Sequence, residues 1–398
     1  MTDFVPKTTY PLVAETISRA EIAALCRWLE QDPTPQLTQG PLVREFEEAF
    51  AKHVGAKHAV FCNSGSSANW LAWLLPIVMN RKAIVENPRV ICPAVAWPTT
   101  VSPAIPLGYD AVLCDAEEET WGLDPVILRK MCEKAVPTMV VLVHMLGVPC
   151  KMDEIKALKD EFGFVLIEDA CGALGSQPIG TIGDLWTYST FYGHQLSTIE
   201  GGFVCTNDDG PAEILRSMRE HGGAWFLSEA DQRALAKKAK QDPFRSRFTF
   251  YRPGFNMRGT DVHAFLGLGQ LKLAQDVAKA RQANHEAYYY QFFDSKNFSV
   301  QATDGEKVAS IGFGVLAATP AHRQKVADAL AAKAIATRPV GGGNMARQPF
   351  WIEAYGEPKT ARPVADRIHD CGFQLPNHPG LTPEDIDFIC KTVLSVSP

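Results

Sequence analysis

Short β-branched and apolar runs alternate with amphipathic segments along most of the chain, and this alternation constrains the fold more than any other feature. The runs His58–Cys62, Arg89–Pro93, Ala111–Asp115, Met139–Met145, Phe164–Glu168 and Gly202–Thr206 have the length and composition of strands. Between them, Leu42–His53, Asp124–Lys134 and Met152–Phe162 space their apolar residues at helical intervals. This order predicts an α/β fold with a mostly parallel central sheet covered by helices. In open sheets of that kind ligands gather beyond the carboxyl ends of the strands, so residues just after each run are the first functional candidates.

The pattern changes after about residue 260. Asp261–Phe293 reads as one long helix or two nearly joined. A strand-like Ser310–Ala317 follows, then a helix Pro320–Ile335, a turn at Gly341–Gly343 and a last helix from Thr382. Residues 1–260 are therefore expected to form a large α/β domain, and 261–398 a connecting helix and a smaller C-terminal α/β domain. Glu229–Asp242 is highly charged and reads as a solvated excursion.

Composition excludes several classes. Of 398 residues, 46% are hydrophobic and 21% charged, which rules out a mainly disordered chain. The net charge is −6 with no basic run, so nucleic acid is not an expected partner. The ten cysteines contain no C-x-C or C-x-x-C pair and read as scattered reduced thiols, not a disulfide frame or zinc ribbon. The first residues lack a basic region leading into an apolar core, and the longest strongly apolar stretch, Leu71–Met79, is too short to span a bilayer. A soluble, cytoplasmic protein without a membrane partner is the expectation.

Five places can carry chemistry. Asn63–Asn69 follows a strand and opens an apolar helix. Its small residues allow helix N-terminal N–H groups to approach a phosphate, although a plain N-cap fits as well. It is not a Walker loop. Glu168-Asp169 closes a strand, where a carboxylate can bond a protonated ring nitrogen, bind a metal or cap the next turn. His194 lies between Gly193 and a polar run ending in Gly201-Gly202, and is either catalytic or structural. Trp97 follows another strand and suits either a flat ring or the core. His221 follows Arg216 and Arg219, and is either a proton carrier or a helix-end cation.

In this order the segments resemble the DegT/DnrJ/EryC1/StrS sugar aminotransferases, pyridoxal-phosphate (PLP) enzymes of the aspartate aminotransferase-like fold type I. The resemblance runs from Thr38-Gln39-Gly40-Pro41 through Ser64–Ser66, Pro93–Pro98, Glu168-Asp169, Ser189–Gly202 and Gly254–Arg258 to Thr337-Arg338-Pro339. It implies that Gly65, Ser66 and Ser189 hold the cofactor phosphate and that Trp97 stacks on the ring. It implies that Asp169 keeps the ring nitrogen protonated and that Arg338 binds substrate. Asn256 would reach the neighbouring subunit's cofactor, so a homodimer with shared sites is implied.

One residue departs from the aminotransferases. Their cofactor-linking lysine is replaced by His194, and no lysine occurs between Lys159 and Lys237. That change resembles the nucleotide-sugar 3-dehydratase branch. One kind in that branch carries an iron–sulfur cluster with a C-x-C ligand pair, which this chain lacks, so no cluster is expected. The other uses only PLP and L-glutamate on GDP-4-keto-6-deoxy-mannose. His221 and Arg347-Gln348-Pro349 fit it, whereas Gly372–His378 departs from it. The resemblance implies PLP held without a covalent bond, cycling through its aminated form PMP as glutamate becomes 2-oxoglutarate. The sugar would lose its 3-hydroxyl to give a 4-keto-3,6-dideoxy sugar and ammonia. His194 would act as base and acid, with His194 or His221 protonating the departing oxygen. A sugar 4-aminotransferase and a non-catalytic PLP-binding protein are the alternatives.

Overall fold

A computed structural model describes residues 4–180, 182–303 and 307–398. Seven strands build the main sheet: β1 (His58–Cys62), β2 (Arg89–Pro93), β3 (Asp110–Cys114), β4 (Met139–Val143), β5 (Val165–Asp169), β6 (Leu185–Ser189) and β7 (Gly202–Thr206). Their order across the sheet is β1-β7-β6-β5-β4-β2-β3. Strands β2 to β6 are parallel, and β7 runs antiparallel to both its neighbours. Every residue of β4, Met-Val-Val-Leu-Val, is buried, as a strand covered on both faces requires. Alternate side chains serve opposite cores: Val141 packs with Leu71 and Leu215, and Val140 and Leu142 with Leu128 and Ile155.

The expected α/β class and parallel sheet are present, with local differences. Strand β6 interrupts its apolar pattern with Thr187 and Ser189, and escaped the sequence reading. Strand β4 ends two residues early because Met145–Gly147 forms a tight turn with Leu146 at φ +57°. Strand β5 runs one residue further than expected, so Asp169 is its last member.

A second sheet contains β8 (Phe298–Val300), β9 (Gly312–Ala317) and β10 (Gly372–Pro376), all antiparallel, in the order β10-β9-β8. It has its own core, including Tyr288, Phe313, Val315 and Ile389. Of the two readings of residues 261–293, the two nearly joined helices are present, Asp261–Leu271 and Ala274–Phe292. The first packs with the main sheet's elements: the Asp261 carboxylate accepts from Gly40 N (2.7 Å) and Leu42 N (3.0 Å), capping helix Pro41–Val54. The charged excursion forms helix Glu229–Lys238, of which only Ala236 is buried. Among the described residues, no helix is long and apolar enough to cross a membrane.

Candidate active site

A cavity of about 460 Å³ lies beyond the carboxyl ends of β4, β5 and β6 and the loop after β2. Of the Glu168-Asp169 pair, Asp169 lines it. Its Oδ2 accepts from Asn69 Nδ2 (2.8 Å) and Thr100 Oγ1 (2.6 Å), and its Oδ1 from Cys171 N (3.0 Å). Thr187 Oγ1 donates to Asn69 Oδ1 (2.6 Å), which turns the amide so that its NH₂ faces the carboxylate. A carboxylate has about four acceptor positions, so three donors leave one for a ring N–H. Glu168 is spent elsewhere, accepting from Gly180 N (2.8 Å) and pairing with His144 Nε2 (3.1 Å). Among the described residues no group of three or more His, Cys, Asp and Glu side chains is placed to hold a metal ion.

Helix Gly65–Glu86 starts at the cavity wall. Ser64 is its N-cap, with Oγ accepting from Ser67 N (3.0 Å). The N–H groups of Gly65 and Ser66 have no intrahelical partner, as the first turn of any helix requires. A Cβ on Gly65 would stand 2.7 Å from Ser189 Cβ and 3.0 Å from Cys171 Sγ, so only glycine brings the helix this close to β6. The N-cap reading is met by Ser64, while Gly65, Ser66 and Ser189 line the cavity.

His194 forms part of the cavity wall. Its Nδ1 lies 2.6 Å from Cys171 O. A carbonyl only accepts, so Nδ1 carries the proton and the neutral ring keeps its lone pair on Nε2. Desolvation pushes the His194 pKa down to about 4; the Arg281 and Arg338 guanidiniums add to this, against the Cys171 carbonyl and Asp169. The ring is uncharged at neutral pH and able to take a proton.

Trp97 lines the cavity and is 58% exposed, which excludes the core reading. Arg338 also lines the cavity. Burial lowers its pKa, and its guanidinium makes no ion pair among the described residues, so a cation faces the space where an anion can sit. His221 and Asn256 do not line the cavity of their own chain. They form one exposed patch: His221 N donates to Phe255 O (2.8 Å), and Glu220 and Asn256 form a β-bridge. Within one chain His221, the alternative proton donor of the sequence reading, therefore lies away from the cavity that His194 lines. Sequence reasoning did not single out Thr100, Thr187 or the Cys171 carbonyl; no local pattern marks them, because their roles exist only through Asp169 and His194.

Fold and cavity together define an aminotransferase-like enzyme class, and the comparisons agree. The DegT/DnrJ/EryC1/StrS aminotransferase family profile matches residues 16–394, and the chain belongs to this family. It is 29% identical over 341 residues to the GDP-4-keto-6-deoxy-D-mannose 3-dehydratase of Escherichia coli, covering 84% of this chain and 86% of that protein. It is 30% identical over 360 residues to the GDP-perosamine synthase of Caulobacter vibrioides, covering 87% and 88%. A solved GDP-4-keto-6-deoxymannose-3-dehydratase with a trapped PLP-glutamate geminal diamine matches at TM-score 0.85 and 25% identity, covering 97% of this chain and 100% of that one.

Proposed function

We propose that this chain is a PLP- and glutamate-dependent nucleotide-sugar 3-dehydratase acting on GDP-4-keto-6-deoxy-D-mannose. The observation that carries the reading is the cavity's base: His194 with a free Nε2, and no lysine among the lining residues. Similarity to a GDP-sugar dehydratase, and a related structure solved with PLP and glutamate, supports the substrate and cofactor.

The residues suit the cofactor. The Gly65 and Ser66 N–H groups with the Ser66 and Ser189 hydroxyls would hold its phosphate. Trp97 would cover one face of its ring. Asp169, held by three donors, would keep the ring nitrogen protonated. When bound, PLP supplies an electron sink for charge released at a neighbouring carbon. With no lysine to link it, the cofactor depends on these contacts alone.

His194 Nε2 takes the α-proton of glutamate in the first half of the cycle. It would give that proton up before the second half, in which Nε2 would first gain a proton from the aminated cofactor and then pass it to the departing C3 oxygen of the sugar. A neutral imidazole with its proton fixed on Nδ1 can begin each half in the same state. Arg338 would hold an anionic group of either substrate. Asn256 would serve the partner's site in a homodimer; His221, fixed to the same patch, would travel with it and stand near the partner's His194. The two separate sheets and cores support a division into a large domain and a small one near residue 260.

The similarity to a GDP-perosamine synthase favours a second reading, a sugar 4-aminotransferase. Incubation with PLP, L-glutamate and the 4-keto sugar separates the two. The dehydratase yields ammonia and a 3-deoxy product; stoichiometric 4-amino sugar would refute it.

A further inference from the structure

His194 can work as a base only if its ring is aimed, and the aim depends on a peptide that no regular element holds. The Nδ1 proton goes to the carbonyl of Cys171, which lies in an irregular loop after β5. The residue after the histidine supplies the anchor. Gln195 is buried, and its Nε2 donates to Gly172 O (2.6 Å) and Ala309 O (2.7 Å). Two carbonyl acceptors fix the amide's orientation and use both of its protons, while Oε1 has no partner.

The two carbonyls belong to different parts of the molecule. Gly172 adjoins the residue that holds His194. Ala309 leads into Ser310 and Ile311 ahead of β9, and Ile311 lines the cavity. That lead-in is itself pinned: Ala309 N donates to Ser176 Oγ (2.9 Å), Ile311 N to Leu146 O (3.0 Å) and Asn377 Nδ2 to Ser310 Oγ (2.8 Å). One carboxamide thus joins the support of the base to the lead-in of β9, whose Ile311 lines the cavity.

We propose that Gln195 is a positioning residue: it fixes the Cys171–Gly172 peptide from which His194 is hung and locks that peptide to the Ala309–Ile311 wall. The inference rests on His194 as the base. Only a side chain with two amide protons at this reach satisfies both carbonyls. Leucine has none, and asparagine is one methylene short.

Gln195→Leu tests it in two ways. In protein without cofactor, long-range ¹H–¹⁵N correlation of labelled histidine, assigned with His194→Asn, reads the His194 tautomer. The parent is expected in the Nδ1–H form and the variant in a mixture. With PLP and glutamate in heavy water, Cα proton exchange is expected to fall about tenfold or more, while half-saturating glutamate changes by less than about twofold. A variant with the parental tautomer and exchange rate overturns the proposal. If Gln195→Leu does not fold, Gln195→Asn, which reaches one carbonyl, is expected to give an intermediate loss in both readouts; parental values there overturn it equally. A parent that exchanges no proton would instead remove His194 as base, and the tautomer comparison would still read what Gln195 does.

Discussion

Replacing Gly65 with alanine tests how the cofactor is held. The added Cβ would stand 2.7 Å from Ser189 Cβ, 3.0 Å from Cys171 Sγ and 3.1 Å from Ser189 Oγ. Carbon atoms settle at about 3.5–4.0 Å, so the overlap with Ser189 is roughly 1 Å. Ser189 ends β6 and is itself paired with Gly202 of β7, so it cannot easily recede. The helix N-terminus has to give way instead. A donor withdrawn by about 1 Å from a phosphate oxygen passes beyond hydrogen-bond range. Each bond to a charged group is worth about 1.5–3 kcal/mol, so losing one raises the PLP dissociation constant roughly ten- to hundredfold. Strain adds about 1–3 kcal/mol of destabilisation without cofactor. The assay is PLP titration by absorbance, with thermal unfolding of the cofactor-free protein alongside. Gly210→Ala is the control: a Cβ there meets nothing within 4 Å. Parental PLP affinity in Gly65→Ala would refute the assignment of the phosphate to this helix end.

Three other outcomes follow from the cavity and the buried histidines. His194→Lys is expected to form a borohydride-reducible bond to PLP, seen by mass spectrometry, and to lose 3-deoxygenation; a variant dehydrating at the parental rate removes His194 from the mechanism. With the His194 pKa pushed down to about 4, Cα exchange of glutamate should stay within about twofold between pH ~7.5 and ~5, whereas a midpoint near the ordinary ~6.5 would show that the ring is not desolvated. Burial pushes His285 down to about 3, its Nδ1 being 2.8 Å from Ser310 Oγ and its Nε2 unpartnered. Because the folded pKa lies below the unfolded one, this stability is present above pH ~6.5 and is lost as pH falls toward the folded value, about 2 kcal/mol by pH ~5. Denaturant midpoints at the two pH values should therefore separate, and His285→Gln should narrow the gap; an unchanged gap would rule out His285 as its source.

The main sheet was largely legible because β1, β2, β4 and β7 are uninterrupted apolar runs buried on both faces. Strand β6 was not, for a physical reason: Thr187 and Ser189 are polar because they are committed to Asn69 and to the cavity. Asp169, Trp97 and His194 could be placed at strand ends or loops from order along the chain. What each does there could not. The tautomer of His194 is set by a carbonyl 23 residues earlier, and its pKa partly by Arg281 and Arg338, contributed by later elements. His221 sits at a helix end as its sequence suggests, yet the side of the molecule that it faces depends on the pairing of residues 220–221 with 255–256.

The surroundings of position 194 bear on why one replacement can change the chemistry. Desolvation and the two guanidiniums lower the pKa of any cation placed there. A lysine would be driven toward its neutral, nucleophilic amine by the field that now keeps the imidazole neutral. On the proposed function, exchanging the two would alter reactivity, from a group that bonds to the cofactor to one that only moves protons, with no need to rebuild the cavity. On the same reading it would also shift the burden of holding the cofactor onto the helix end and Asp169. The two modes of retention should then be interchangeable. In a His194→Lys background the covalent bond should mask much of the PLP affinity lost through Gly65→Ala, giving a non-additive double-mutant cycle. Equal losses in both backgrounds would mean that the covalent bond and the helix end do not act on the same bound cofactor.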